Sequence, residues 1–125
     1  MSLNTTLQNK RADDIATLFA TGTLTIYSGA VPADANAALG AAVQLAAHTV
    51  AGFLASVAGA AVANAIADDT IDATGTASFA RLVAGGYTIQ LTVGTSGAQV
   101  IVSSLSYVAA GNSVVNSMTL TQPAA

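Results

Sequence analysis

The side chains best suited to chemistry in this sequence are a single histidine and a short glycine–serine motif. His48 is the only histidine, so a Ser–His–Asp triad would have to use it as the general base. Its apolar surroundings favour a packed or edge histidine instead. The motif GTSG at 94–97 does not fit the GxSxG spacing of a nucleophile elbow. The sequence therefore predicts no nucleophilic catalytic site.

A second candidate is the acidic group formed by Asp68, Asp69 and Asp72. Carboxylate oxygens can bind calcium, and a carboxylate pair can cleave a glycosidic bond. The group lacks the ligand spacing of an EF-hand loop, and no aromatic side chains accompany it to stack on a sugar. GTSG also lacks the lysine of a phosphate-binding loop. We interpret the acidic group as a solvated turn, and we predict a protein that is not an enzyme and has no metal and no cofactor.

The scarcity of charge points to a structural role. Only 7 % of the residues are charged, whereas a typical soluble surface carries roughly 25–35 %. The basic side chains are Lys10, Arg11 and Arg81 alone, too few for a duplex-DNA binder, which neutralises about 6–10 phosphates. Direct nucleic-acid binding is therefore not expected. A surface of this kind favours coverage by protein partners.

The N-terminal segment predicts a helix, which divides the chain into a helical segment at 1–21 and a β-domain at 22–125. Asn4 or Thr5 can act as the N-cap, and Gly22 is the expected stop. No continuous apolar run precedes this helix, so a cleaved secretory signal is not expected. One predicted face of the helix has a residue every three or four positions. It consists of four apolar residues and one arginine: Leu7, Arg11, Ile15, Leu18 and Phe19.

After Gly22 the hydrophobic period changes from about 3.6 to 2, which is typical of half-buried strands. In SVVNSMTLT, Val114, Met118 and Leu120 are predicted to share one face, which Asn116 interrupts. Glycine-rich turns separate the runs. Six or more short strands at this spacing predict a sandwich or a barrel. Five of the runs are TLTIY, TASFARLV, YTIQLTV, QVIVSSLSYV and SVVNSMTLT.

The uncharged window 35–67 admits three interpretations: strands, a buried helix or a membrane helix. Its length would allow a membrane span, which needs about 20 apolar residues, but most of the apolar residues are alanine and three glycines interrupt them. We predict strands, with Val43, Leu45 and Ala47 on one face. Two further strands at 53–57 and 62–66 would be joined by a turn at Ala58-Gly59.

The predicted strands hold a single charge, Arg81. Because isolated sheet proteins guard their edges with charges or prolines, we interpret these strands as unguarded and expect neighbours to cover them. A homodimer with two-fold symmetry is the expected assembly, since cyclic dimers are the commonest closed form. The candidate interface residues are Leu7, Ile15, Leu18, Phe19, Tyr27, Val31 and Pro32.

Five motifs occur in order along almost the whole chain: NKRADDI, LTIYSGAVPA, DATGTASFARLV, VGTSGAQVIVSS and AGNSVVNSMTLT. In this order the chain resembles a family of small tailed-phage virion proteins, the capsid decoration (cement) proteins. The resemblance implies a mostly β fold, a jelly-roll-like antiparallel β-sandwich with a short N-terminal α-helix. It implies no catalytic residue.

The resemblance also implies two partners, the major capsid protein and a second copy of the chain, with no membrane partner. The protein would be made in the host cytoplasm and lie on the capsid exterior of the virion. Two alternatives remain open from the sequence. One is a neck or tail component of the virion, and the other is a holin-like membrane protein that would use the window 35–67.

Overall fold

The computed structural model describes residues 4–121, which begin with one helix. Helix α1 spans Thr5–Leu18, and the Asn4 side chain caps it by accepting the Leu7 N–H at 2.9 Å. The predicted N-cap is therefore confirmed. The helix ends before the predicted stop at Gly22, whose N–H donates to the Phe19 carbonyl at 3.0 Å.

Eleven strands follow within the described residues, and they confirm a mostly β fold with a short N-terminal helix. The strands are β1 Thr23–Ser28, β2 Val43–Thr49, β3 Ala60–Val62, β4 Asp69–Thr70, β5 Gly75–Thr76, β6 Phe79–Ala84, β7 Tyr87–Gly94, β8 Val100–Val102, β9 Ser106–Tyr107, β10 Asn112–Ser113 and β11 Val115–Thr121. Seven of them form one mixed sheet in the order β2-β1-β6-β7-β8-β11-β3.

The sheet differs in one respect from the wholly antiparallel arrangement that the sequence predicts. β7 and β8 run parallel, paired at Val93–Val100 and Gly94–Ile101, while the other paired strands are antiparallel. The remaining four strands form two small sheets, β10-β4 and β5-β9. The jelly-roll arrangement and the division at residue 22 stay predictions.

Side chains from both halves of the sheet meet in one hydrophobic core. β1 and β6 contribute Leu24, Ile26 and Leu82, while β8 and β11 contribute Val100 and Met118, and all five side chains are fully buried. Burying a side chain of this size stabilises the fold by roughly 1.5–3 kcal/mol. The core therefore holds the two halves of the sheet together although β7 and β8 share only a short pairing.

Two β-bulges change which residues face this core. In β11 the register with β8 shifts between Val115 and Ser117, so the extra residue Asn116 is exposed and Val115 is buried together with Met118. Met118 and Leu120 are both buried, as predicted, but the placement of Val114 on their face is wrong, because Val115 takes that position. A bulge places two residues opposite one and so reverses the side-chain alternation.

The second bulge lies between β1 and β2, where Ile26 pairs with Ala46 and Tyr27 pairs with Gln44. Leu45 is the additional residue, and it is fully buried. Val43, which was predicted to share its face, is 48 % exposed. That part of the prediction is therefore wrong, although the strand itself is confirmed.

The window 35–67 contains β2 and β3 and no helix. The predicted turn at Ala58-Gly59 is confirmed, since both residues have positive φ, at 51° and 78°. The strand at 62–66 is wrong, because β3 ends at Val62. The segment 53–57 pairs with its neighbours only through isolated bridges. Within residues 4–121, no helix is long and apolar enough to cross a membrane.

Candidate interaction surface

The only histidine lies in a buried chain of hydrogen bonds. His48 Nδ1 lies 2.9 Å from the Ala67 carbonyl oxygen, and Nε2 lies 2.8 Å from Ser113 Oγ. Because a carbonyl only accepts, Nδ1 carries the proton that faces Ala67. Ser113 Oγ also lies 3.2 Å from the Tyr107 hydroxyl oxygen, so the three side chains form one chain of hydrogen bonds.

The Ser113–His48 pair has the spacing of a nucleophile and its base, but both side chains are 1 % exposed. A substrate would have to unfold β10 to reach Ser113. Burial raises the pKa of Tyr107, and the hydrogen bond with Ser113 partly offsets that increase. The network therefore satisfies polar groups inside the core, which agrees with the prediction of a packed histidine.

Two of the three clustered aspartates bond to the outer edge of β2, and the third bonds to β10. Asp69 Oδ2 accepts the Ala47 N–H at 3.2 Å, Asp72 Oδ2 accepts the Gln44 amide at 3.2 Å, and Asp68 Oδ2 accepts the Asn112 amide at 2.8 Å. Among residues 4–121, no group of three His, Cys, Asp or Glu side chains is arranged to hold a metal ion.

The prediction that the strands are unguarded is wrong at both ends of the seven-stranded sheet. At β2 the Asp69 carboxylate accepts one outward N–H, and the Leu45 carbonyl accepts the Asp72 N–H at 2.7 Å. At β3 the Leu54 N–H donates to the Val62 carbonyl at 2.8 Å. Neighbouring segments of the chain therefore cover both terminal strands, which limits uncontrolled strand pairing.

A buried arginine holds the long β1–β2 connection against the outer face of the sheet. Arg81 is 9 % exposed, and its Nη2 donates to the carbonyls of Ala37 at 2.7 Å and Asp34 at 3.2 Å. Gln90 bridges the Arg81 guanidinium to the Pro32 carbonyl. The only charged side chain in the predicted strands therefore has an internal structural role.

Helix α1 is attached to the segment 53–60 by two side chains. Asp13 Oδ1 accepts the Ser56 N–H at 3.0 Å, and Asn9 Oδ1 accepts the Gly59 N–H at 2.8 Å. The Ser56 side chain and its backbone N–H hold the pKa of Asp13 below its usual value. The Ser56 hydroxyl itself has no partner of hydrogen-bonding geometry, so the amide is the firmer contact. These bonds fix which face of α1 meets the sheet.

The helix end buries only part of the predicted face, together with two alanines outside it. Ala12, Ala16 and Phe19 are buried against the sheet, and Ile15 packs at the margin of the core. The other two apolar members of the predicted face, Leu7 and Leu18, are 45 % and 49 % exposed. Because the alanine side chains are short, the helix can approach β3 closely. The prediction of the buried face relied on hydropathy and therefore gave alanine too little weight.

The seven predicted interface residues accordingly separate into two groups. Leu7, Leu18 and Val31 are exposed and available to a partner. The other four contact this chain: Phe19 and Ile15 pack on the core, Tyr27 stacks on Phe79 with ring centroids 5.1 Å apart, and the Pro32 carbonyl accepts from Gln90. The burial of Phe19 removes it from the interface set.

Further large apolar side chains are exposed that the sequence did not single out. In the hairpin around the Ala58-Gly59 turn, Leu54, Val57 and Val62 are 59 %, 73 % and 38 % exposed. Val108 and Tyr87 are more than half exposed at other turns. The sequence shows that few charged residues surround these positions. It does not show which way the side chains point, because that depends on the bulges and bridges of the fold.

An apolar groove of about 270 Å³ separates α1 from the sheet. Ala12 and Ile15 form one wall, and the opposite wall comes from β7, β11 and Gln99, with Ile89, Leu91, Leu120 and Thr121. None of these lining residues is charged or acts as an acid or base. The groove therefore offers apolar contact and no group for proton transfer.

The chain matches no family model, no curated protein and no solved structure.

Proposed function

We propose that this protein is a structural subunit of a tailed-phage head, a decoration protein that binds the outside of the major capsid lattice. The observation that carries the proposal is the chemistry of the surface. Ten large apolar side chains are exposed among residues 4–121, and only 7 % of the chain is charged. A surface with so few charges is weakly protected against association, and the ordered motifs that resemble decoration proteins supply the partner.

The proposed mechanism is an external staple. A ligand that binds one state of a protein and not another stabilises the bound state by mass action. Decoration subunits that contact the expanded capsid lattice, but not its precursor, would therefore raise the temperature at which the head opens. The proposal assigns no reaction to the protein: the Ser113–His48 pair is buried, and the residues that line the groove beside α1 include no acid or base.

Thermal release of DNA from purified phage particles tests this mechanism. We expect particles that lack the protein to release DNA at a lower temperature than complete particles, and purified protein added back should restore the difference. Equal release temperatures for the depleted, restored and complete particles would contradict the staple.

Immunogold labelling of intact particles separates the head surface from the neck and tail. Label spread over the whole head supports decoration. Label at a single vertex, or along the tail, would assign the protein to the neck or tail and overturn the proposed location.

A further inference from the structure

A narrow stripe of four residues on α1 is exposed and is not covered by the sheet. Leu7, Arg11, Asp14 and Leu18 are all exposed, and they follow one another at spacings of four, three and four residues. This is the spacing of a helix seam that packs against a second helix. The stripe lies beside the face that Ala12 and Ala16 bury against the sheet.

The order of residues in the stripe is self-complementary. We propose that a second copy of this chain covers it, with the two α1 helices antiparallel about a two-fold axis. In that arrangement Leu7 meets Leu18 of the partner subunit, and Arg11 meets Asp14 of the partner subunit. The symmetry repeats both contacts, as an isologous interface requires. A parallel pairing would instead place Arg11 on Arg11 and Asp14 on Asp14.

Charge complementarity identifies the occupant as a copy of the chain. Within residues 4–121 the only ion pair is Lys10–Asp14, at 2.7 Å on the helix surface. Arg11 makes no ion pair there, although a carboxylate can accept bonds from two donors. The partner's Arg11 can therefore reach Asp14 while Lys10 stays in place. The two leucines at the ends would cover the ion pairs with apolar contact.

The size of the stripe sets the strength of the contact. Leu7 and Leu18 are three helical turns apart, about 16 Å, so the helices alone bury less than the roughly 1,200–2,000 Å² of a standard stable interface. We therefore expect a dimer that dissociates on dilution. It would be favoured wherever copies are concentrated, as on an assembled lattice.

Charge reversal gives a test that includes its own control for folding. R11D places two acidic residues on each stripe, and D14R places two basic ones, so each variant should self-associate about tenfold more weakly than the wild type. An equimolar mixture of the two variants restores both cross-pairs and should form a heterodimer. The double variant R11D/D14R should recover self-association. Sedimentation velocity from micromolar to millimolar concentration measures all four.

A charge placed elsewhere on α1 is the control for the charge reversals. Thr6 is exposed on α1 outside the stripe, so T6R should dimerise like the wild type. A wild-type chain that is monomeric throughout would overturn the inference, as would single variants that dimerise normally. Folded variants that stay monomeric when mixed would overturn it as well. The inference does not depend on the proposed capsid role, because soluble dimerisation and binding to heads are measured separately.

Discussion

At the residue scale, the buried His48 network and the buried Arg81 guanidinium are hydrogen-bonded to other groups of the same chain. His48, Ser113 and Tyr107 form a continuous buried hydrogen-bond chain, and carbonyl oxygens surround the guanidinium of Arg81. A buried group that loses its partner costs about 1–3 kcal/mol. These residues therefore stabilise the fold, and the residues available to partners are the exposed apolar ones.

The buried tyrosine makes the stability of the fold depend on pH in the alkaline range. The pKa of Tyr107 is raised in the folded protein, so its contribution is fully present below the unfolded value of about 10. Above that pH the unfolded chain loses the proton first, and the stability falls as pH rises towards the folded pKa. We expect Y107F to remove this part of the alkaline decline, as urea unfolding over a series of alkaline pH values would measure.

A matched variant isolates the cause of that decline. Tyr87 is 57 % exposed, so Y87F should keep the wild-type dependence on pH. Y107F should also be less stable at neutral pH, because Ser113 loses a hydrogen-bond partner. The same alkaline slope in Y107F and the wild type would contradict the account.

At the element scale, the fold depends on close approach between the end of the helix and the central strands. A Cβ atom at Gly22 would lie 3.0 Å from the Val83 carbonyl oxygen and 3.3 Å from the Phe19 carbonyl oxygen. Both atoms belong to the backbone, which cannot move aside easily. Gly22 is therefore required for packing between the α1–β1 connection and β6, whereas the sequence suggested a helix stop.

Replacement of this glycine tests the packing. We expect G22A to lower the free energy of unfolding by about 1–3 kcal/mol, the usual cost of overpacking, in chemical denaturation. G86A is the control, since a Cβ at Gly86 meets nothing within 4 Å and the substitution should change stability little. Equal stability of G22A and the wild type would show that the connection shifts at low cost.

The elements differ in how far the sequence predicts them. The alternation in YTIQLTV predicts the strand β7 correctly, because such an alternation is a local property of the sequence. The bulges in β2 and β11 could not be predicted, because a bulge is defined by the register with another strand. The exposed stripe of α1 could be predicted in part from the sequence, since Leu7, Arg11 and Leu18 were on the predicted face. Its exposure depends on Ala12 and Ala16, which pack closer to the sheet.

At the scale of the whole molecule, the described chain covers its own terminal strands and leaves apolar side chains exposed on its helix, strands and turns. Covered edges limit indiscriminate strand pairing, so a free subunit of the proposed assembly would be protected against pairing through its sheet edges. The exposed side chains, among them Leu54, Val57 and Val108, would then be buried on a large assembly. Covered strand edges together with exposed apolar side chains fit the proposed subunit, which would be made separately and added to a finished surface.

A cryo-EM map of the intact phage particle is the most direct test of the central claim. The account predicts density for this fold on the outside of the head at repeated positions over the whole lattice, with α1 helices paired wherever two copies meet about a two-fold axis. A map in which the capsid exterior carries no such density would contradict the claim. Density for the fold confined to the portal vertex or the tail would contradict it equally.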